Sequence, residues 1–295
     1  MKEKFGLRQA IIYTIVILLT LSCLFPLVNV ISLSFSSSQA VASNKVGLWP
    51  VDFTNAAYLK IIKDQQFWRS FGISVFRVFA GLLLNLFMIV TISYPLSKST
   101  KAFPARKVIM PLVVFAMLFN GGLIPTYLVV RNLGLLNNVW SLILPGAVPI
   151  GSVILVMNFF RSVPKSLEES AILDGANAWD ILTRIYIPIS LPALATVSLF
   201  SIVGHWNDFF SGLIYMTRVK NYPLMTYIQS LSINVADTIQ KSTHVTAEQL
   251  RAIMEVSNKN LNAAKIVIAI VPLLLVYPFL QKYFVKGIVV GSVKE

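Results

Sequence analysis

The stretch SLEESAILDGANAWDILTRIYIP, Ser166 to Pro188, holds Glu168, Glu169, Asp174 and Asp180, four of only twelve carboxylates in a chain of 295 residues. Its spacing reads as two short helices joined by a tight turn. Ser166 with Glu169 three residues later fits a capping box, and Pro164 just upstream suits a helix start. Gly175 stands where a left-handed C-terminal cap stops that helix. Asn177 then opens a second helix with Asp180 at its third position, and Pro188 marks where it gives way to the next apolar run. On the first helix Glu169 shares a face with Ile172 and Leu173, while Ser170 and Ala171 are small enough to permit close approach. This mixed acidic and apolar knob has two readings. It is a docking element for another protein, or its acids merely favour the positive ends of helix dipoles.

Outward from the knob the chain is apolar: 56% of residues are hydrophobic and 13% charged, where a soluble domain carries roughly a quarter charged. That composition belongs in a bilayer, whose core of about 30 Å needs about 20 apolar residues per helix. Six stretches qualify or come close, at about 11–33, 71–96, 108–130, 140–160, 190–216 and 263–285. The expectation is an all-α membrane protein, one transmembrane domain over residues 1–295, with residues 161–189 as a polar loop. An even number of spans places both termini on one side. Thirteen Lys and Arg fall on the side of the termini against ten on the other, and the thirteen cluster on short loops near span ends. The termini and the acidic loop are therefore expected in the cytoplasm.

The net charge of +13 is explained by juxtamembrane anchoring, since no basic run interleaved with aromatics points to nucleic acid. One cysteine excludes an intrachain disulfide and any multi-Cys metal cluster. Around Cys23, in TLSC, the small residues of a lipoprotein cleavage site are not in the right places and FPLVNV continues the apolar run, so the first span is read as uncleaved.

Two long segments, Ser34 to Ser70 and Thr217 to Asn262, face outward, where a partner can dock. In the first, Tyr58, Ile61, Ile62 and Phe67 suggest a short surface helix with interfacial Trp68. In the second, TAEQLRAIMEVSN suggests a helical piece with Thr246 as cap and Glu248 in the first turn. Asn120, Gly121, Gly122 and Pro125 should break the third span in its outer half. The fifth span contains VGHWNDFFSG, which puts His205, Asn207 and Asp208 at membrane depth. Such groups line a water-filled path or hydrogen-bond between helices, and both readings stay open. Arg77, in the second span, either snorkels outward or lines the path.

The run Glu169-Ser170-Ala171, three residues, Gly175, nine residues, Ile185-Tyr186-Ile187-Pro188 resembles the "EAA" loop of ABC importer permeases, departing at Ser170 for Ala and Ile187 for Leu. GHWNDFF resembles the Trp-Asn-acid motif of carbohydrate permeases. The tail FVKGIVVGSVKE resembles the C-termini of the shorter permease of maltose-type importers. GLWPVDF and FNGGLIPTYLVVRNLGLLNN resemble a branch assigned to complex oligosaccharides. The resemblance implies a coupling helix seated in a cleft of an ATPase, with Glu169, Ser170, Ala171, Gly175, Ile185 and Pro188 at the motif's positions and Lys286 and Gly287 near the ATPase interface. It also implies a second permease subunit as heterodimer partner, two ATP-binding cassette subunits, an extracellular solute-binding protein, and a bacterial cytoplasmic membrane as the site of work.

No G-x-x-x-x-G-K-[ST] occurs, so ATP would be bound by the partner subunit and this chain needs no cofactor of its own. With His205 and His244 the only histidines, no nucleophile, base and orienting acid can be assembled, and no metal or catalytic residue is expected. The expectation is a non-enzymatic subunit importing a carbohydrate, with an oligosaccharide as cargo. Trp206, Asn207 and Asp208 are the candidates for the sugar path, because aromatic faces stack on sugar rings and carboxylates or amides bind hydroxyl pairs. Two alternatives are an ABC permease for a non-sugar solute, and an ion-coupled secondary transporter using Asp208 and His205 as a relay. The second lacks the internal repeat usual in such folds.

Overall fold

A computed structural model of the protein describes residues 7–231 and 259–292. The helical piece expected around Thr246 and Glu248 lies outside these residues. The chain divides into two units, residues 1–68 with 228–272, and residues 69–227 with 273–295.

In the first unit, α1 (Leu7–Ser34) runs uniformly apolar through Pro26 and none of its most apolar window is buried, as expected of a helix that meets lipid on every side. The segment after it is well tied down. Ser37 caps α2 (Ser38–Ala42) by accepting the Ala40 N–H at 3.2 Å. α3 (Ala56–Lys63) buries Ile61 and leaves Ile62 exposed. The surface helix expected to reach Trp68 stops instead at Lys63, because Asp64 starts a new one. Its Oδ1 accepts the Phe67 N–H at 3.0 Å, and α4 (Gln65–Ser97) begins. Phe67 is fully buried. Asp64 Oδ2 meets Lys265 Nζ at 2.7 Å, and Asn260 Nδ2 donates to the Ser36 carbonyl at 3.3 Å. Both partners lie on the last helix, α13 (Lys259–Ser292).

In the second unit, chain breaks occur where Gly, Pro and short polar side chains stand. α5 (Arg106–Leu118) and α6 (Leu123–Asn132) meet at 114°. Gly122 takes φ +88° there and donates its N–H to Asn120 Oδ1 at 2.9 Å, a turn that glycine enters without a Cβ clash. The stretch expected as one span over 140–160 consists of two 3₁₀ turns, Val139–Leu142 and Leu144–Gly146, followed by α7 (Ile150–Arg161) at 48°. Pro145 and Pro149 supply no N–H and break the α-helical ladder. Next come α8 (Lys165–Leu173), α9 (Ala178–Ile181), a π-turn over Leu182–Tyr186, α10 (Ile187–Ile189) and α11 (Leu191–Asn207), with an 81° bend between Ile189 and Leu191. α12 (Phe210–Tyr215) follows a break at Asp208, whose Oδ1 accepts the Ser211 N–H at 3.0 Å.

The core of this unit joins Ile89 of α4, Val153, Val156 and Phe160 of α7, Ile181 and Leu182 near the π-turn, and Val197 of α11. Each side chain of this kind contributes roughly 1.5–3 kcal/mol relative to an exposed position. Among the described residues, three helices are long and apolar enough to cross a membrane: Gln9–Ser34, Gln65–Ser97 and Lys259–Val276. The three bent pairs raise the number to six if each is one span.

Candidate functional site

The polar loop folds as two capped helices, with one correction. α8 starts at Lys165 with Pro164 as its N-cap and no side-chain cap, so the expected Ser166–Glu169 capping box does not form. Pro164 already sets the backbone for the first turn, which places Ser166 inside the helix. At the other end, Gly175 at φ +80° lets its own N–H reach the Ile172 carbonyl at 3.0 Å and the Ala176 N–H reach Ala171 at 2.9 Å. That is a Schellman closure, which takes up the carbonyls a helix end leaves open. Asn177 then caps α9 from its side chain to the N–H groups of Trp179 and Asp180, and Asp180 returns a bond to the Asn177 N–H.

The two adjacent acids of α8 have different surroundings. Glu168 turns inward, where Oε1 accepts from Lys98 Nζ at 2.7 Å and Oε2 accepts from the Tyr186 hydroxyl at 2.6 Å. Lys98 also donates to the Tyr186 hydroxyl at 2.9 Å and lies 4.3 Å and 4.1 Å from the ring centres of Tyr94 and Tyr186. This cluster ties the end of α4 to α8 and to the last residue of the π-turn. Burial alone would raise the Glu168 carboxyl, but the bonds from Lys98 and Tyr186 outweigh it and hold the group below its ordinary value. For Lys98, burial is the larger influence and lowers its value, while Glu168 works against that. Sequence reasoning missed this cluster, because its members are 18 to 88 positions apart. The one available signal was that Lys98 is the first charge after a long apolar run.

Glu169 is exposed, as are Ser170 and Pro188, while Ala171 and Ile185 are half-buried against the core. Glu169 lines a cavity of about 470 Å³ together with Lys98, Arg106, Arg161, Lys165 and Glu168. Of the tail, Lys286 and Gly287 lie in α13.

The residues singled out in the fifth span separate. Trp206 is buried and packs edge-on against Phe71 at 5.8 Å. Asn207 is exposed. Asp208 lines the second cavity, of about 290 Å³, and so does His205. Its carboxylate pairs with Arg77, whose guanidinium is 2% exposed and also donates to the carbonyls of Asp208 at 2.8 Å and Leu142 at 3.3 Å. Arg77 therefore points into the protein and does not snorkel. Asn85 donates to the carbonyls of Gly146 and Ala147 at 2.8 and 3.0 Å, so its oxygen is the acceptor for Ser201 at 2.8 Å and His205 Nε2 at 2.9 Å. His205 thus carries its proton on Nε2, by the logic of the bonds around it. The sequence showed Asp208 and His205 as near neighbours, yet their bonds run to Arg77 and Asn85. Among the described residues no group of three or more His, Cys, Asp or Glu is arranged to hold a metal.

A family model described as "Binding-protein-dependent transport system inner membrane component" matches residues 74–290. The chain is 40% identical over 277 residues to Protein LplC of Bacillus subtilis (strain 168), covering 92% of this chain and 89% of that protein. It is 37% identical over 288 residues to the polygalacturonan/rhamnogalacturonan transport system permease protein YtcP of the same organism, covering 98% of each. Among solved structures, a chain of a bacterial ABC transporter involved in the import of the acidic polysaccharide alginate superposes with a TM-score of 0.83 at 32% identity. That match covers 96% of this chain and 99% of that one.

Proposed function

Because the chain belongs to the family of binding-protein-dependent transport system inner membrane components, and so is an ABC importer permease, we propose that it carries an oligosaccharide across a bacterial cytoplasmic membrane. It does so by alternating access. A separate pair of ATPase subunits binds and hydrolyses the ATP, a second permease chain completes the pathway as a heterodimer, and an extracellular solute-binding protein delivers the cargo. Six spans, each bent pair counting as one, put both termini and the 161–189 loop in the cytoplasm. The carbohydrate assignment is supported by the polysaccharide cargoes named for a permease relative and for the alginate importer.

The coupling role rests on one observation: α8 presents Glu169 to solvent while Glu168, one residue away, is tied to Lys98 and Tyr186. A lever needs both an outer surface for the ATPase and an inner attachment to the spans. Glu169 takes the first part and the Lys98–Glu168–Tyr186 cluster the second, with Ser170 and Gly175 permitting close approach of the ATPase. Closure of the ATPases on ATP pulls α8, and the pull reaches α4 and α11 through the cluster.

The test is ATP hydrolysis by the reconstituted complex, with oligosaccharides presented on the cognate binding protein, for wild type and Glu169→Ala. Sugar-loaded binding protein should stimulate wild type, and the variant should assemble normally while losing most of the stimulation. Stimulation by amino acids or peptides and by no sugar would overturn the cargo. Full stimulation in Glu169→Ala would overturn the coupling role.

A further inference from the structure

We infer that the cavity beside Arg77 and Asp208 is a subsite for one uncharged sugar unit, an assignment that rests on the carbohydrate reading above. The cavity measures about 290 Å³, at the small end of ligand pockets, which run from about 300 Å³ upward. It suits a single ring and not a whole oligosaccharide. Its only two formal charges are Arg77 and Asp208, and they are bonded to each other. The remaining polar lining is neutral: Asn85, Ser201, His205 and Tyr215 among others, with His205 fixed as the Nε2–H form by Asn85.

Two features favour hydroxyl groups over a carboxylate. With Nε2 occupied, the free ring nitrogen of His205 is an acceptor, as is the Asp208 carboxylate, and both suit O–H donors. A sugar hydroxyl donates to such groups without adding charge. An acidic sugar, in contrast, would bring its carboxylate against Asp208. To reach Arg77 it must displace Asp208, which would also strip the Ser211 N–H of its cap at the start of α12 and leave a carboxylate unpaired in a low-dielectric site. The subsite therefore selects against uronates even though named relatives handle acidic polysaccharides.

The experiment is saturation-transfer NMR on the purified full importer complex, without its binding protein, using 1,4-linked galactotriose and trigalacturonate as probes that differ at the C6 carboxylate. Galactotriose should give about tenfold stronger transfer than trigalacturonate, as expected where one ligand leaves a charge unpaired. Ser152→Phe fills the cavity from a residue outside the Arg77 network and should abolish the galactotriose signal; Asp208→Asn, which frees Arg77, should move the preference toward trigalacturonate. Equal or stronger transfer to trigalacturonate in wild type, or a galactotriose signal unchanged by Ser152→Phe, overturns the subsite. If neither sugar shows transfer but sugar-loaded binding protein still stimulates ATP hydrolysis, the subsite falls and the carbohydrate reading stands. If no sugar does either, both fall.

Discussion

Tyr186→Phe removes one oxygen and leaves the rest of the Lys98–Glu168–Tyr186 attachment in place. The ring stays 4.1 Å from Lys98 Nζ, and its edge contacts with Tyr94 at 5.2 Å and Phe160 at 5.4 Å persist. What disappears is the hydroxyl that donates to Glu168 at 2.6 Å and accepts from Lys98 at 2.9 Å. Hydrogen bonds to charged partners contribute roughly 1.5–3 kcal/mol each at full burial. The Lys98 and Glu168 side chains are 15% and 22% exposed, so water recovers part of the loss, and a net cost of about 2 kcal/mol is expected. If α8 opens locally from the cluster, that corresponds to roughly 30-fold faster amide exchange. Hydrogen exchange by mass spectrometry on the peptide covering residues 165–186, in the assembled complex, measures it. Glu169→Ala is the control and should leave exchange unchanged, because Glu169 is exposed. Combining Tyr186→Phe with Glu168→Gln should cost less than the sum of the two by about 1 kcal/mol, since they remove the same bond. Unchanged protection in Tyr186→Phe, or strict additivity with Glu168→Gln, would refute the attachment.

Three further outcomes follow. Since Glu168 sits below its ordinary value of 4.5 in the folded protein, its contribution is complete above that pH and is lost as pH falls through the lower folded-state value; wild type and Glu168→Gln should converge in thermal stability on acidification below 4.5, and a constant gap there would contradict it. Gly81→Ala puts a methyl into the His205 ring, which must then leave Asn85 or force α4 and α11 apart at a cost of about 1–3 kcal/mol. The yield of assembled complex should drop and recover in the Gly81→Ala, His205→Ala double variant. Lys265→Met removes the ammonium that pairs with Asp64 Oδ2. Removing one member of a largely buried pair costs about 3 kcal/mol, so the melting temperature should fall and Asp64→Asn in the same chain should restore part of it.

The capping chemistry of the loop was legible in the sequence where it depends on neighbours a few residues apart. Gly175 and Asn177 do what their spacing implies, and Gly122 breaks the third span as expected. Ser166 shows the limit of that reasoning, because Pro164 two residues earlier had already set the helix start. The kinks at Pro145 and Pro149 and the break at Asp208 were available in principle, but uniform hydropathy across 140–160 and 190–216 hid them. What no local pattern reports is partnership. Glu168 and Glu169 are equivalent as letters, and only the meeting of α4, α8 and the π-turn distinguishes them. Likewise Arg77 in an apolar run gives no sign that Asp208, 131 positions later, completes it.

The π-turn at Leu182–Tyr186 makes this stretch sensitive to length in an unusual way. A π-turn carries an additional residue relative to an α-helix, so losing a residue here need not interrupt the helix at all. It would let the ladder close as regular α-helix and rotate everything upstream by about 100° relative to the spans. The exposed face of α8 would survive intact, fold correctly and point in the wrong direction. Natural variation in this loop should therefore tolerate changes of residue far better than changes of number.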